Sequence, residues 1–283
     1  MRIALTAIAV VMVECVAWTG VQAQESPELT ALMRKVGIYA NWFVNRFSNV
    51  VSEEVYEQKF SGASRRRQLK SEFMLVGYPG STEALMTFRD IREVDGKPVG
   101  DQKERITQLF LEPFQSAIRR AQEIHRDGLR HSIDNGRVMD PLTVIGYLQP
   151  AYLGNFRVSR GGLAKSLGPF VREITLTPMQ NPGPNRDGRA VLSRSPFKPA
   201  RAWVAEDTGA VLKTELRSGF GVRSEITTTT FAMDATLEMP VPIEMRDEFP
   251  RGRDDFIGVA KYSNFRRFTV RTDALVDVPP AKP

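Results

Sequence analysis

Between residues 202 and 272 apolar and polar side chains alternate through one short-linked segment after another, which leaves room for little besides an antiparallel sheet. Ala202 to Glu206 and Ala210 to Arg217 flank Asp207-Thr208-Gly209, a hairpin connection. Leu212, Thr214 and Leu216 fall on one side of the second segment, and Lys213, Glu215 and Arg217 on the other. Val222 to Met233 contains Thr227-Thr228-Thr229-Thr230, a β-branched run suited to a pleated surface. Met239, Val241, Ile243 and Met245 alternate with Pro240, Pro242, Glu244 and Arg246, and the two prolines indicate an edge strand or a bulged one. Phe256 to Thr272 is long enough to bend, with an irregularity expected near Asn264-Phe265.

Upstream the period changes. Ser26-Pro27-Glu28 has the form of a helix start: a cap, a proline at the first position and an acid in the first turn. Leu29, Leu32, Met33, Val36, Tyr39, Ala40, Phe43 and Phe47 then recur at helical spacing, predicting one amphipathic helix over 27–47. Strand patterns follow over Val51 to Phe60, Arg67 to Leu75 and Thr82 to Val94, the last closed by Asp95-Gly96. A helical block is expected over Asp101 to Leu111 and Phe114 to His131, and Asp140-Pro141 opens a shorter helix. Strands return over Tyr152 to Val158 and Arg172 to Thr177, whereas the prolines and glycines of 181–188 predict a loop.

The first 23 residues read as a secretory signal. Arg2 is followed by the apolar run Ile3 to Val13, and Val21-Gln22-Ala23 gives the small-x-small cleavage pattern. Cys15, the chain's one cysteine, lies within it, so neither disulfides nor a thiol nucleophile is expected afterwards. The expected organisation is a signal peptide over 1–23 and a single domain over 24–273. A helical insertion is placed at about 101–149 and a flexible tail over 274–283. Export places the protein in the periplasm or outside the cell. The net charge of +6 then favours anionic envelope surfaces, with nucleic acid excluded by compartment. Arg65-Arg66-Arg67, Arg119-Arg120 and Arg266-Arg267 are the visible basic clusters.

The hairpin from Ala202-Trp203-Val204-Ala205-Glu206-Asp207-Thr208-Gly209 through Val211 to Leu216 resembles a recurring W-I-D-x-x-T-G-x-V-x-x-T-E pattern. With Val241 to Glu248 and Gly258 to Phe268, it is similar to a family of uncharacterised secreted bacterial proteins. A more distant likeness runs to the periplasmic outer-membrane lipoprotein carriers, although Ala205 stands where their common aspartate would be. That likeness implies an α+β fold: a curved, half-barrel-like antiparallel β-sheet covered on one face by helices, with an acyl chain held on the concave side.

Tests for reaction chemistry return little. His125 and His131 are six residues apart, about 240° around a helix, and no H-E-x-x-H is present. No G-x-S-x-G occurs, and Gly161-Gly162-Leu163-Ala164-Lys165-Ser166 lacks phosphate-loop spacing. In a calcium loop built around Asn185-Arg186-Asp187-Gly188, Gly183 and Arg194 would occupy ligand positions that need acids. Glu244, Asp247, Glu248, Asp254 and Asp255 could pair for hydrolysis, but Arg246, Arg251 and Arg253 among them suggest a self-neutralised surface. No catalytic residue, metal ligand or cofactor is therefore expected. The remaining candidates are apolar: Trp203, Leu212, Leu216, Ile226, Val241, Ile243, Tyr262 and Phe268 either pack as core or line a cavity for an acyl chain. The reading is a non-enzymatic binding protein with a lipid or acylated protein as partner. An envelope interaction module working through the basic clusters is the alternative, and a hydrolase ranks last.

Overall fold

The structure, a computed structural model, describes residues 26–48, 50–62, 65–76, 86–99, 114–133, 139–179, 182–184, 190–192, 196–218, 224–252, 254–267, 269–270 and 276–277. The signal region, the first part of the helical block, Phe268 and the tail other than 276–277 lie outside the described residues. In chain order come α1 (Pro27–Phe47), β1 (Val50–Phe60), β2 (Arg66–Val76), β3 (Met86–Val94) and β4 (Lys97–Pro98). Then follow α2 (Phe114–Leu129), α3 (Thr143–Tyr147), α4 (Pro150–Leu153), β5 (Phe156–Leu163), β6 (Val171–Pro178), β7 (Pro182–Pro184) and β8 (Ala190–Leu192). The chain closes with β9 (Ala200–Ala205), β10 (Val211–Ser218), β11 (Glu225–Asp234), β12 (Met239–Phe249), β13 (Phe256–Arg267), β14 (Thr269–Val270) and β15 (Val276–Asp277).

Eleven strands make one open antiparallel sheet in the order β4-β3-β2-β1-β13-β12-β11-β10-β9-β6-β5. The N-terminal meander and the C-terminal one join where β1 pairs with β13, so the first long strand lies beside the last. Right-handed twist accumulating over this many strands curls a sheet instead of leaving it flat. Extra residues at Arg92, Gly161-Gly162, Leu212, Ile243 and Asn264-Phe265 interrupt the ladders and bend it further. The expected irregularity in β13 is there, with Asn264 at a left-handed φ of 51°. β12 lies inside the sheet; its prolines are tolerated because the ladder skips a residue between Pro242 and Glu244.

Among the described residues, the helices cover one face. Ser26 caps α1 by accepting from Leu29 N at 3.2 Å, and the helix buries its whole apolar stripe. Phe43 meets Phe231 edge-on at 5.9 Å and Phe47 meets Phe265 at 6.3 Å, so α1 crosses the sheet between β11 and β13. Two sequence expectations need correction. Tyr152 belongs to the one-turn helix α4, begun by Pro150, and not to a strand. Pro182–Pro184 pairs with Ala190–Leu192 in a two-stranded ribbon, where each strand keeps a free edge that a proline can occupy.

Candidate functional site

The covered face has two halves of opposite character. Under α1 it is apolar and built from small residues. Ala200, Ala202 and Val204 of β9 are buried on this face, where α3 packs on β9 and β10, and Val36 and Ala40 of α1, which approaches the β9–β10 turn, are fully buried as well. The approach is closest at Gly209, where a Cβ would lie 2.5 Å from the backbone carbon of Lys35. On the far flank of α1, Gly37 lets Pro150 come near, its absent Cβ lying 3.2 Å from Pro150 Cγ. Beside that contact runs a groove of about 500 Å³ lined by Met33, Gly37 and Ile38 of α1, Pro150 and Leu153 of α4, and Phe156 and Val158 of β5. Arg34 and Asn41 are its polar members, and Ile38 is 65% exposed in it.

The other half, on β1, β2, β3, β12 and β13, is polar although buried. Arg89 Nε donates to Glu54 Oε2 at 2.5 Å, and Ser71 Oγ donates to the same oxygen at 2.8 Å. The Arg89 guanidinium lies 5.2 Å from the Phe73 ring centre and reaches Tyr262 Oη at 3.4 Å. Burial works against its charge, but Glu54 and Tyr262 more than compensate and raise its pKa. Tyr56 Oη donates to Asp247 Oδ2 at 2.8 Å across β13, over Gly258, whose missing Cβ would fall 2.7 Å from Tyr56 Cε2. A further link ties the cover to the sheet: Gln58 donates to Ser132 Oγ at 3.0 Å and accepts from Ile133 N at 3.0 Å.

Burial pushes the Asp247 carboxyl up to about 6, against the Tyr56 and Thr227 hydroxyls and the charge of Arg89, with Glu54 adding to the rise. The folded state therefore binds this proton more tightly than the unfolded chain, whose ordinary value is 3.8. Above pH 6 the buried charge costs stability in full, and the cost is relieved as pH falls from about 6 to 3.8. Asp247→Asn, which keeps an oxygen for Tyr56, should raise the melting temperature at pH 7.5 by the equivalent of at most about 3 kcal/mol. The gain should be gone by about pH 4, as thermal melts across that range would show.

Between the two halves opens a smaller cavity of about 240 Å³, walled by α3, α4, the end of α1 and the β2–β3 edge. Its lining includes Asp140, Thr87, Gln149, Tyr147, Tyr152 and Phe197. Asp140 Oδ1 accepts from Leu142 N at 2.8 Å, which fixes the turn that starts α3. Burial raises the Asp140 pKa, opposed by the Leu142 amide, Arg89, Thr87 and His125. His125 of α2 is half-buried; burial first, then Arg89, lowers its pKa, so a neutral imidazole is favoured. Gln149 Nε2 donates to Asn41 Oδ1 at 3.1 Å, so this cavity and the apolar groove share a wall. Among the described residues no group of three or more His, Cys, Asp or Glu side chains is placed to hold a metal ion.

Of the eight apolar candidates, the structure brings Leu216, Val241 and Tyr262 together on the covered face, all buried in the core. Trp203 and Ile226 lie on the opposite face, half-buried, with Lys213 Nζ 4.9 Å from the Trp203 ring centre. Leu212 and Ile243 are the extra residues of two bulges; Leu212 is half-buried and Ile243 is 40% exposed. Phe268 lies outside the described residues. The acidic cluster does not converge. Asp247 is buried inside, Glu248 accepts from Arg246 at 2.6 Å outside, and Asp255 accepts from Arg251 N in a turn. Sequence reasoning passed over Glu54, Arg89 and Asp140, and treated His125 as idle. The signal available was a strand pattern broken by charge: Ser52, Glu54, Tyr56 and Gln58 share one phase of β1, and that phase is the buried one.

No protein-family model matches the sequence, and no curated protein matches it. Among solved structures the chain is similar to a DUF1329 family protein from Desulfovibrio piger, at 13% identity and a TM-score of 0.40, covering 87% of this chain and 94% of that one. It is similar to an outer membrane lipoprotein-sorting protein domain from Vibrio parahaemolyticus, at 12% identity and a TM-score of 0.38, covering 86% and 94%. It is also similar to a LolA superfamily protein from Nitrosomonas europaea, at 10% identity and a TM-score of 0.35, covering 82% and 95%.

Proposed function

We propose that this is an exported, non-enzymatic binding protein that holds a fatty-acyl chain, free or carried on a lipid or acylated protein, in the groove between α1, α4 and β5. The observation that carries this reading is the groove itself: about 500 Å³, apolar on both walls, with Ile38 65% exposed between them. That volume is within the usual span of small-ligand sites, about 300–1,000 Å³. Each buried methylene contributes about 0.8 kcal/mol, so a long chain needs no elaborate polar recognition. Arg34 beside the groove supplies a cation for a carboxylate or phosphate end. The N-terminal segment reads as an export signal, which supports a periplasmic or extracellular site of action. No helix among the described residues is long and apolar enough to cross a membrane.

The reading through basic clusters has less support. Arg67 pairs with Asp95 at 3.5 Å, Arg266 pairs with Glu72, and Arg267 donates to the Leu237 carbonyl at 3.5 Å. These arginines serve the fold's own charges first. Titration with a fluorescent fatty acid separates the alternatives. Saturable binding should survive 0.5 M salt and fall at least about tenfold in Ile38→Glu, the loss of about 1.4 kcal/mol expected when a charge enters an apolar contact. Ile38 is exposed, so thermal stability should shift by no more than about 0.5 kcal/mol. Binding that vanishes with salt and ignores Ile38→Glu would contradict the groove.

A further inference from the structure

The cavity between α3, α4 and the β2–β3 edge does not fit an acyl chain. Three aromatic rings form one wall of it: Tyr147 meets Phe197 edge-on at 5.4 Å and Tyr152 meets Phe197 at 6.4 Å. One charged side chain is in the described lining, and it is an acid, Asp140. The charge behind the cavity does not cancel it. Arg89 is held by Glu54 at 2.5 Å, so that pair is neutral and the Asp140 carboxylate is in excess. His125, its other neighbour, is favoured in the neutral form. In a protein with a net charge of +6, a cavity whose charged member is a carboxylate stands apart from its surroundings.

Rings present negative faces to a cation, and alkylated ammonium groups are recognised by aromatic side chains together with a carboxylate. We propose that this cavity binds a small organic cation of the alkylammonium class, with Asp140 supplying the counter-charge and Tyr147, Tyr152 and Phe197 the aromatic wall. Its volume of about 240 Å³ suits a head group and not a chain. The inference goes beyond the acyl reading and stands without it. The same chemistry has two sources, a free cation or the head group of a lipid. The shared Gln149–Asn41 wall puts either beside the apolar groove.

Choline, titrated into the isotopically labelled mature chain and followed by amide NMR shifts, tests it. Shifts should cluster at residues 140–152 and at Phe197, and saturate. The neutral carbon isostere of choline, 3,3-dimethylbutan-1-ol, should bind about tenfold more weakly, as should choline to Asp140→Asn. Phe197→Leu, which keeps bulk and removes the ring, should weaken choline about fivefold and the isostere little. Should Asp140→Asn fail to fold, the isostere comparison in the unaltered protein and Phe197→Leu still decide the matter. Dihexanoyl phosphatidylcholine binding more tightly than choline identifies a lipid head group, and choline binding as tightly identifies the free cation. Equal binding of choline and its isostere, or shifts elsewhere, overturns the proposal. Fatty acid binding that fails while choline binding holds would remove the acyl groove alone.

Discussion

Arg89→Met should destabilise the fold by about 3–5 kcal/mol, the usual consequence of removing one partner of a buried ion pair and stranding the other. The Glu54 side chain is fully buried and the Arg89 side chain is 6% exposed, so water cannot replace the lost partner. The hydroxyls of Ser71 and Tyr262 would remain to donate to the Glu54 carboxylate, which does not replace a guanidinium charge. The same substitution also removes the guanidinium over Phe73 and its reach to Tyr262. Adding Glu54→Gln should recover much of the loss, because the charge pair contributes little net stability compared with neutral groups of similar size. Chemical denaturation of the two single variants and the double variant would measure this. Additive losses would mean that Glu54 and Arg89 act independently, contrary to the 2.5 Å contact.

Gly209→Ala should cost about 3 kcal/mol or more, although it adds one methyl group. Two effects combine. Gly209 has a φ of 75°, where an L side chain costs about 1–2 kcal/mol. A Cβ there would also meet the Lys35 carbonyl carbon at 2.5 Å and the Val36 nitrogen at 2.7 Å, and helix backbone does not yield. Gly96, in the Asp95-Gly96 turn, has nearly the same φ of 76° but nothing within 4 Å of its absent Cβ. Gly96→Ala therefore isolates the backbone effect, at about 1–2 kcal/mol, and the remainder at Gly209 reports how tightly α1 docks on the β9–β10 turn. Equal losses at the two positions would mean that α1 is not seated there.

Much of the fold was legible because its elements carry local signals. The Ser26-Pro27 start and the apolar stripe define α1 over the span observed. Asp207-Thr208-Gly209 marks the hairpin on which that helix rests. Face assignment was harder. Trp203 reads as the inward residue of β9 by size, yet Ala202 and Val204 take the covered side, where α3 packs on β9. Bulges at Leu212 and Ile243 break the strict alternation on which a sequence reading depends. The polar half was not legible, because Glu54, Arg89, Asp140 and Asp247 come from four separate segments. The β1–β2–β3 meander brings Arg89 to Glu54, the pairing of β1 with β13 and of β13 with β12 brings Asp247, and the return of the chain brings Asp140. The groove likewise exists through Gly37 against Pro150, a contact between residues 113 positions apart that no periodicity announces.

Isotope-edited NMR of the mature chain with carbon-13-labelled palmitate asks where the chain of a bound fatty acid lies. Nuclear Overhauser contacts from the palmitate methylenes to the methyl groups of Ile38, Leu153 and Val158 are the predicted result. Saturable palmitate binding with contacts confined to other residues, or no saturable binding at all, would contradict a ligand site between α1, α4 and β5.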